Sequence, residues 1–188
     1  MLVLALTMLM FGGAQPVVDC AYDQKALMAE DIHAFDQTMH SGWRTLADKG
    51  CMTQAADLIK AWRARHGDLP ADLAANVAWH EGQMRAAAGD DSGAITAFSA
   101  SLNHPDPTFR DYAAATIAFL KRDHAALLAA RAALVAEPKP EGWDAAAADY
   151  KAHYGETATW PDNLDKVDAL IACYDQPYKT AYGCRPKT

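Results

Sequence analysis

Missing from this chain of 188 residues is any run of basic side chains. Its lysines and arginines stand singly and the formal net charge is -7, so nonspecific attraction to DNA, RNA or an anionic membrane has no patch to act through. No CxxC and no cysteine–histidine cluster at ligand spacing occurs, which leaves no motif for a metal site. GxSxG, GxxxxGK(S/T) and GxGxxG are absent too, and with them the common local signatures of acyl transfer and phosphate binding. The nearest approach to a metal motif is His80-Glu81, where Met84 stands in place of the second histidine of HExxH; both residues read as the surface of a helix. The other histidines, His33, His40, His66, His104, His124 and His153, are dispersed, and His33 and His40 stand too far apart for one metal ion. The reading therefore contains no catalytic, cofactor-binding or metal residue and leans away from an enzyme.

Valine and isoleucine are scarce and alanine abundant, which favours helices over strands. With 51% hydrophobic and 22% charged residues the chain is globular in composition, and its length suits one domain. The apolar run Leu2–Phe11 falls well short of the about 20 residues that span a bilayer. Followed by Gly12-Gly13-Ala14, it reads as a signal peptide over residues 1–14, with a mature chain from Gln15 and no stable membrane anchor after cleavage. The four cysteines of that mature chain, Cys20, Cys51, Cys173 and Cys184, fit an oxidising compartment, so the protein is expected to be periplasmic or secreted.

Sequential pairing of the cysteines is the simplest, and Cys173–Cys184 needs only local closure. Cys20–Cys51 is less secure. Met28, Ile32, Phe35, Met39, Trp43 and Leu46 recur at helical intervals, and one unbroken helix through them would hold the two sulfurs apart. A break at Ser41-Gly42 would bring them together.

Further helices are expected at about 53–65, with Thr53 as cap and Ala56, Leu58, Ile59 and Trp62 inward, and from Asp72 to Leu102 in two pieces folded at Gly89-Asp90. Val77, Trp79, Met84, Ile95, Phe98 and Leu102 supply the apolar stripes of that pair. Two more follow at about 108–120 and 123–136, capped by Asp106 or Thr108, with Tyr112, Ile117, Leu120, Leu127, Leu128 and Leu134 as core candidates. Helices at 143–153 and 163–173 then precede a tail carrying Tyr174, Tyr178 and Tyr182.

The residues of 76–102 carry a resemblance. Gly82 takes a small position, Gly89-Asp90 a turn, and Ala94-Ile95, Phe98 and Leu102 fall at second-helix offsets, a pattern that resembles the tetratricopeptide repeat (TPR), a helical hairpin of about 34 residues. In the third unit Ala114, Ala126-Leu127, Ala133-Leu134 and Pro138 match. The departures are Glu81 where the family has Leu, Arg85 where it has an aromatic, and a turn glycine replaced around Lys121. The resemblance implies an all-α, TPR-like solenoid of about three antiparallel hairpins (23–66, 72–104 and 108–138), with a C-terminal cap and disulfide-tied tail over 143–188, all within a single domain 15–188.

It also implies a concave groove lined by the first helix of each hairpin. Carried over by position, its residues are Gln37, His40 and Arg44, then Asn76, Trp79, His80 and Gln83, then Asp111, with Tyr112 and Phe119 either lining the groove or packing between hairpins. The basic clamp with which some family members hold a terminal carboxylate is absent, since His40, Trp79 and Asp111 occupy its places. An aromatic, an arginine and several amides suit a peptide or protein segment, so the expected function is a protein-binding adaptor or assembly factor without a cofactor. The alternatives are a small enzyme or accessory subunit with a site of dispersed His, Asp and Glu residues, and a small-ligand binder.

Overall fold

The computed structural model describes residues 18–155 and 157–185, so residues 1–14, expected to be a signal peptide, lie outside the described residues. Every regular element among them is helical: α1 (Gln24–Leu27), a π-helical turn (His33–Gln37), α2 (Arg44–Asp48), α3 (Met52–Arg65), α4 (Ala71–Ala87), α5 (Asp91–Ser101), α6 (Pro107–Leu120), α7 (His124–Ala136), α8 (Trp143–Tyr154), α9 (Leu164–Ala172) and α10 (Tyr178–Ala181). From α2 to α7 each helix packs on its successor. None is long and apolar enough to cross a membrane.

The first departure from the sequence reading is the stretch before Lys49, which is three short pieces rather than one helix. The reason is local. The Asp31 carboxylate accepts from the Ala34 amide, Thr38 leaves the helical region and bonds back to the His33 carbonyl, and His40 and Gly42 both adopt positive φ. At Gly42 a Cβ would lie 2.0 Å from the Phe35 carbonyl oxygen, so the return of the chain onto the π-turn requires glycine. This fold-back brings Cys20 and Cys51 within bonding distance, and both bridges form, Cys20–Cys51 and Cys173–Cys184. It also turns Met39 out to solvent at 68% exposure, while Phe35, Trp43 and Leu46 stay buried.

Caps set the later boundaries. Asp90, Asp106 and Asp123 each accept an amide of the first turn of α5, α6 and α7. Thr53 does not cap α3, which begins one residue earlier, after Cys51. Gly89 ends α4 at φ +84°, and Arg122 takes the same left-handed region between α6 and α7, a position where the sequence departs from glycine. Gly82 is where α4 meets α5, since a Cβ there would stand 2.4 Å from Cδ1 of Phe98.

Two hydrophobic clusters share α4. Met28, Phe35, Trp43, Leu46, Leu58, Ile59 and Trp62 gather with Val77, whereas Trp79 packs with Phe98, Tyr112, Phe119, Leu127, Leu134, Val167 and Leu170. Leu102 and Leu128, expected inside, are exposed. Capping of α6 and α7 falls to α9, which the Arg131–Asp168 ion pair pins, whereas none of the side chains of α8 from 143 to 153 is buried. The tail sends Tyr178 and Ala181 into the second cluster.

Candidate functional site

Because the fold-back sets Trp43 beside the π-turn, a carboxylate on that turn is captured. Asp36 is fully buried at 0% exposure, and its Oδ1 accepts from Trp43 Nε1 at 2.9 Å and from His80 Nδ1 on α4 at 2.7 Å. Gln37 Nε2 donates to its Oδ2 at 2.6 Å, and the Arg44 guanidinium donates to its main-chain carbonyl. Burial pushes the Asp36 carboxyl up, but the hydrogen bond and charge of His80, the Trp43 indole and the Arg44 charge outweigh it and hold the group below its ordinary value. A carboxylate so held accepts only, so the proton between the pair sits on His80 Nδ1 and the ring's Nε2 is left without a protein partner among the described residues.

Above this network lies a pocket of about 420 Å³, lined by the π-turn, α2, α4, α6, the start of α9 and the end of α10. Gln37, Arg44, Asn76, Trp79, His80 and Gln83 all border it, so six of the eight residues expected in a groove converge on one cavity. One turn of α4 separates Asn76 from His80 and another carries on toward Gln83, which places the three on one face. Trp79 has a double role: at 5% exposure it packs 4.5 Å from the rings of Phe98 and Tyr112, and its edge reaches the pocket. Tyr112 likewise does both, while Phe119 is wholly core.

Two expected residues are elsewhere. His40 sits on the exposed fold-back and meets Asp48 at 2.9 Å instead. Asp111 precedes Tyr112 by one helical position, a rotation of about 100° that takes it off the pocket face. There, burial and then Glu137 raise its carboxyl above the ordinary value against a smaller opposite effect of Arg110.

Four pocket residues escaped the sequence reading: Asp36, Phe109, Asn163 and Tyr182. The tail contributes the last, whose hydroxyl accepts from Gln83 Nε2 at 3.1 Å and lies 2.9 Å from that of Tyr112. The pocket is thus bounded on one side by the segment that carries α10. Nor is Glu81 at the surface, for it is 4% exposed and bridges Arg63 at 2.5 Å and Arg85 at 2.8 Å.

Chemically, the pocket offers one guanidinium, one imidazole nitrogen and the amides of Asn76, Gln83 and Asn163 against aromatic edges, which suits a small polar group more than an apolar one. No protein-family model, curated protein or solved structure matches the chain.

Proposed function

We propose that this chain is an exported, TPR-like helical-repeat protein that acts as a protein-binding adaptor or assembly factor, holding a short polar segment of its partner in the concave pocket. The observation that carries the reading is the convergence of Gln37, Arg44, Asn76, Trp79, His80 and Gln83 on one cavity. Two disulfides among the described residues accord with a periplasmic or secreted site of action. The pocket's size suits one or two residues of the partner, and Tyr182 on its wall makes entry by a loop tip or chain end easier than passage of an extended strand.

The test is capture of partners from an extract of exported proteins by the full chain and by Asn76→Trp, which fills the pocket from a half-buried position. A partner retained by the first and lost by the second is expected. An identical captured set for both proteins would sink the reading. Trp79→Ala is the wrong probe, because it empties the second core cluster as well as the groove.

The Asp36–His80 pair favours a second reading, a small enzyme or accessory subunit. A buried carboxylate that fixes one imidazole nitrogen leaves the other as a positioned base. Turnover that His80→Gln abolishes while partner capture persists would favour it over the adaptor.

A further inference from the structure

Arg44 is the cation of the pocket, and among the described residues it forms no ion pair. Its guanidinium lies over the Trp43 ring, 4.2 Å from the centroid, and donates to the main-chain carbonyl of Asp36. No carboxylate among the described residues stands within ion-pair distance of it. The two acidic groups whose fields reach it are otherwise engaged, Asp36 with Trp43, His80 and Gln37, and Asp48 with His40. Burial lowers the guanidinium from its ordinary value despite those two charges. A half-buried cation that borders a polar cavity without a carboxylate in contact is most readily satisfied by an anion entering that cavity.

We propose that the pocket takes a carboxylate of its ligand on the Arg44 guanidinium. The inference rests on the binding reading above and names the chemical group bound. A planar monoanion matches the fork of an arginine, and one cation matches one negative charge. A phosphate dianion would bring a second charge toward the ionised Asp36 below, which disfavours it. Asn76 and Asn163 make no side-chain hydrogen bond within the protein among the described residues, so both amides are available to the uncharged remainder of a peptide-like ligand. This site does not stand at the places of the repeat family's basic clamp, which hold His40, Trp79 and Asp111 here. Its cation comes from α2, which the Gly42 fold-back sets against the π-turn.

The experiment is calorimetric titration of the full chain at fixed ionic strength with four probes. These are acetyl-trialanine with a free carboxylate, its C-terminal amide, an amide-capped acetyl-trialanine extended by one internal glutamate, and sodium acetate. The expected result is that at least one carboxylate probe binds tenfold or more tightly than the capped amide, and that Arg44→Gln erases the difference. Which probe leads tells a chain end from an acidic side chain or a free acid. Arg44→Lys, which keeps the charge on the same element, is expected to retain part of the preference, and the acid-to-amide comparison on the unaltered protein needs no variant to fold. Equal binding of acid and amide overturns the carboxylate site while leaving a peptide pocket standing. So does a preference that survives Arg44→Gln. Binding by none of the carboxylate probes overturns it as well, with the binding reading then judged separately by the Asn76→Trp capture.

Discussion

His80 Nδ1 lies 2.7 Å from Asp36 Oδ1 across 44 positions of sequence, and this contact joins the irregular N-terminal segment to the regular helices. The carboxylate it holds is fully buried and satisfied from three directions. Deleting it with Asp36→Ala leaves the Trp43 and His80 donors facing a void, at a cost of about 3–5 kcal/mol. Urea unfolding at neutral pH measures that loss. A cost below about 1 kcal/mol would show that the network adds little to the fold.

The same carboxylate predicts a pH dependence whose sign follows from its lowered value. A group with a folded pKa below the unfolded one contributes stability that is fully present above the unfolded value, 3.8 for an ordinary aspartate, and is lost as pH falls through the folded value. The stability difference between the natural chain and Asp36→Asn should therefore be largest near neutrality and shrink below about pH 4. Asp111 and Asp162 carry raised values and act with the opposite sign, but they are common to both proteins and cancel in the difference. A difference that grows on acidification would contradict the assignment of an ionised Asp36.

Helical periodicity made α3 to α7 legible, because apolar residues recur along them at helical spacing, and six of the eight residues placed in the groove line one cavity while His40 and Asp111 do not. What periodicity could not see was the fold-back before Lys49. Phe35, Trp43 and Leu46 keep a helical spacing in sequence although the chain between them reverses, and the signal that mattered was Gly42, whose backbone lies against Phe35. Asp36 was hidden by the same fault, since on an uninterrupted helix it would have stood at the flank of the apolar stripe, where a carboxylate reads as the edge of a helical face. Tyr182 and Asn163 were invisible for another reason: they reach the pocket from the far end of the chain, and no local pattern encodes that docking.

At Gly82, a methyl group would stand 2.4–2.8 Å from Cδ1, Cε1 and Cγ of the buried Phe98 ring. Alanine gains about 1 kcal/mol of helix propensity over glycine, whereas overpacking a fixed core costs about 1–3 kcal/mol. Gly82→Ala should be destabilised on balance, with part of the loss recovered by adding Phe98→Leu, which removes the clashing ring edge. Thermal unfolding of the two single variants and the double gives the coupling directly. A Gly82→Ala protein more stable than the natural one would mean that α4 and α5 can separate freely.

The two disulfides should differ in weight. Cys20–Cys51 closes a separation of 31 residues and Cys173–Cys184 one of 11, so loop entropy assigns about 3–4 kcal/mol to the first and about 2.5–3 kcal/mol to the second. Removing the first also frees the segment that carries Asp36 and Arg44. Cys20→Ser with Cys51→Ser should therefore weaken ligand binding as well as stability, and unfolding curves with and without a bound probe separate the two effects. Equal binding by the bridged and unbridged proteins would show that Gly42 and Trp43 alone hold the pocket floor.

Glu81 and Arg85 explain the two departures of α4 from the repeat pattern as one exchange. Where the family places Leu and an aromatic, this chain places an ion pair 2.8 Å apart, extended by Arg63 to Glu81 and by Asp57 and Asp90 to Arg85. Burial pulls the Arg85 guanidinium down, but the hydrogen bond and charge of Glu81, the hydrogen bond of Asp90 and the charge of Asp57 outweigh it and hold the group above its ordinary value. Each partner therefore depends on the other. Glu81→Leu alone takes from Arg85 its one buried partner, leaving it the exposed Asp57 and Asp90, and should cost about 1–3 kcal/mol. Adding Arg85→Phe replaces both charges by the apolar pair of the repeat pattern and should return the protein to within about 1 kcal/mol of its starting stability, because an ion pair lost with both its partners leaves nothing uncompensated. Arg63, on the rim, is free to turn to water. A double variant as unstable as the sum of its singles would show instead that Glu81 and Arg85 contribute independently, and that the resemblance of α4 to a repeat helix does not extend to this face.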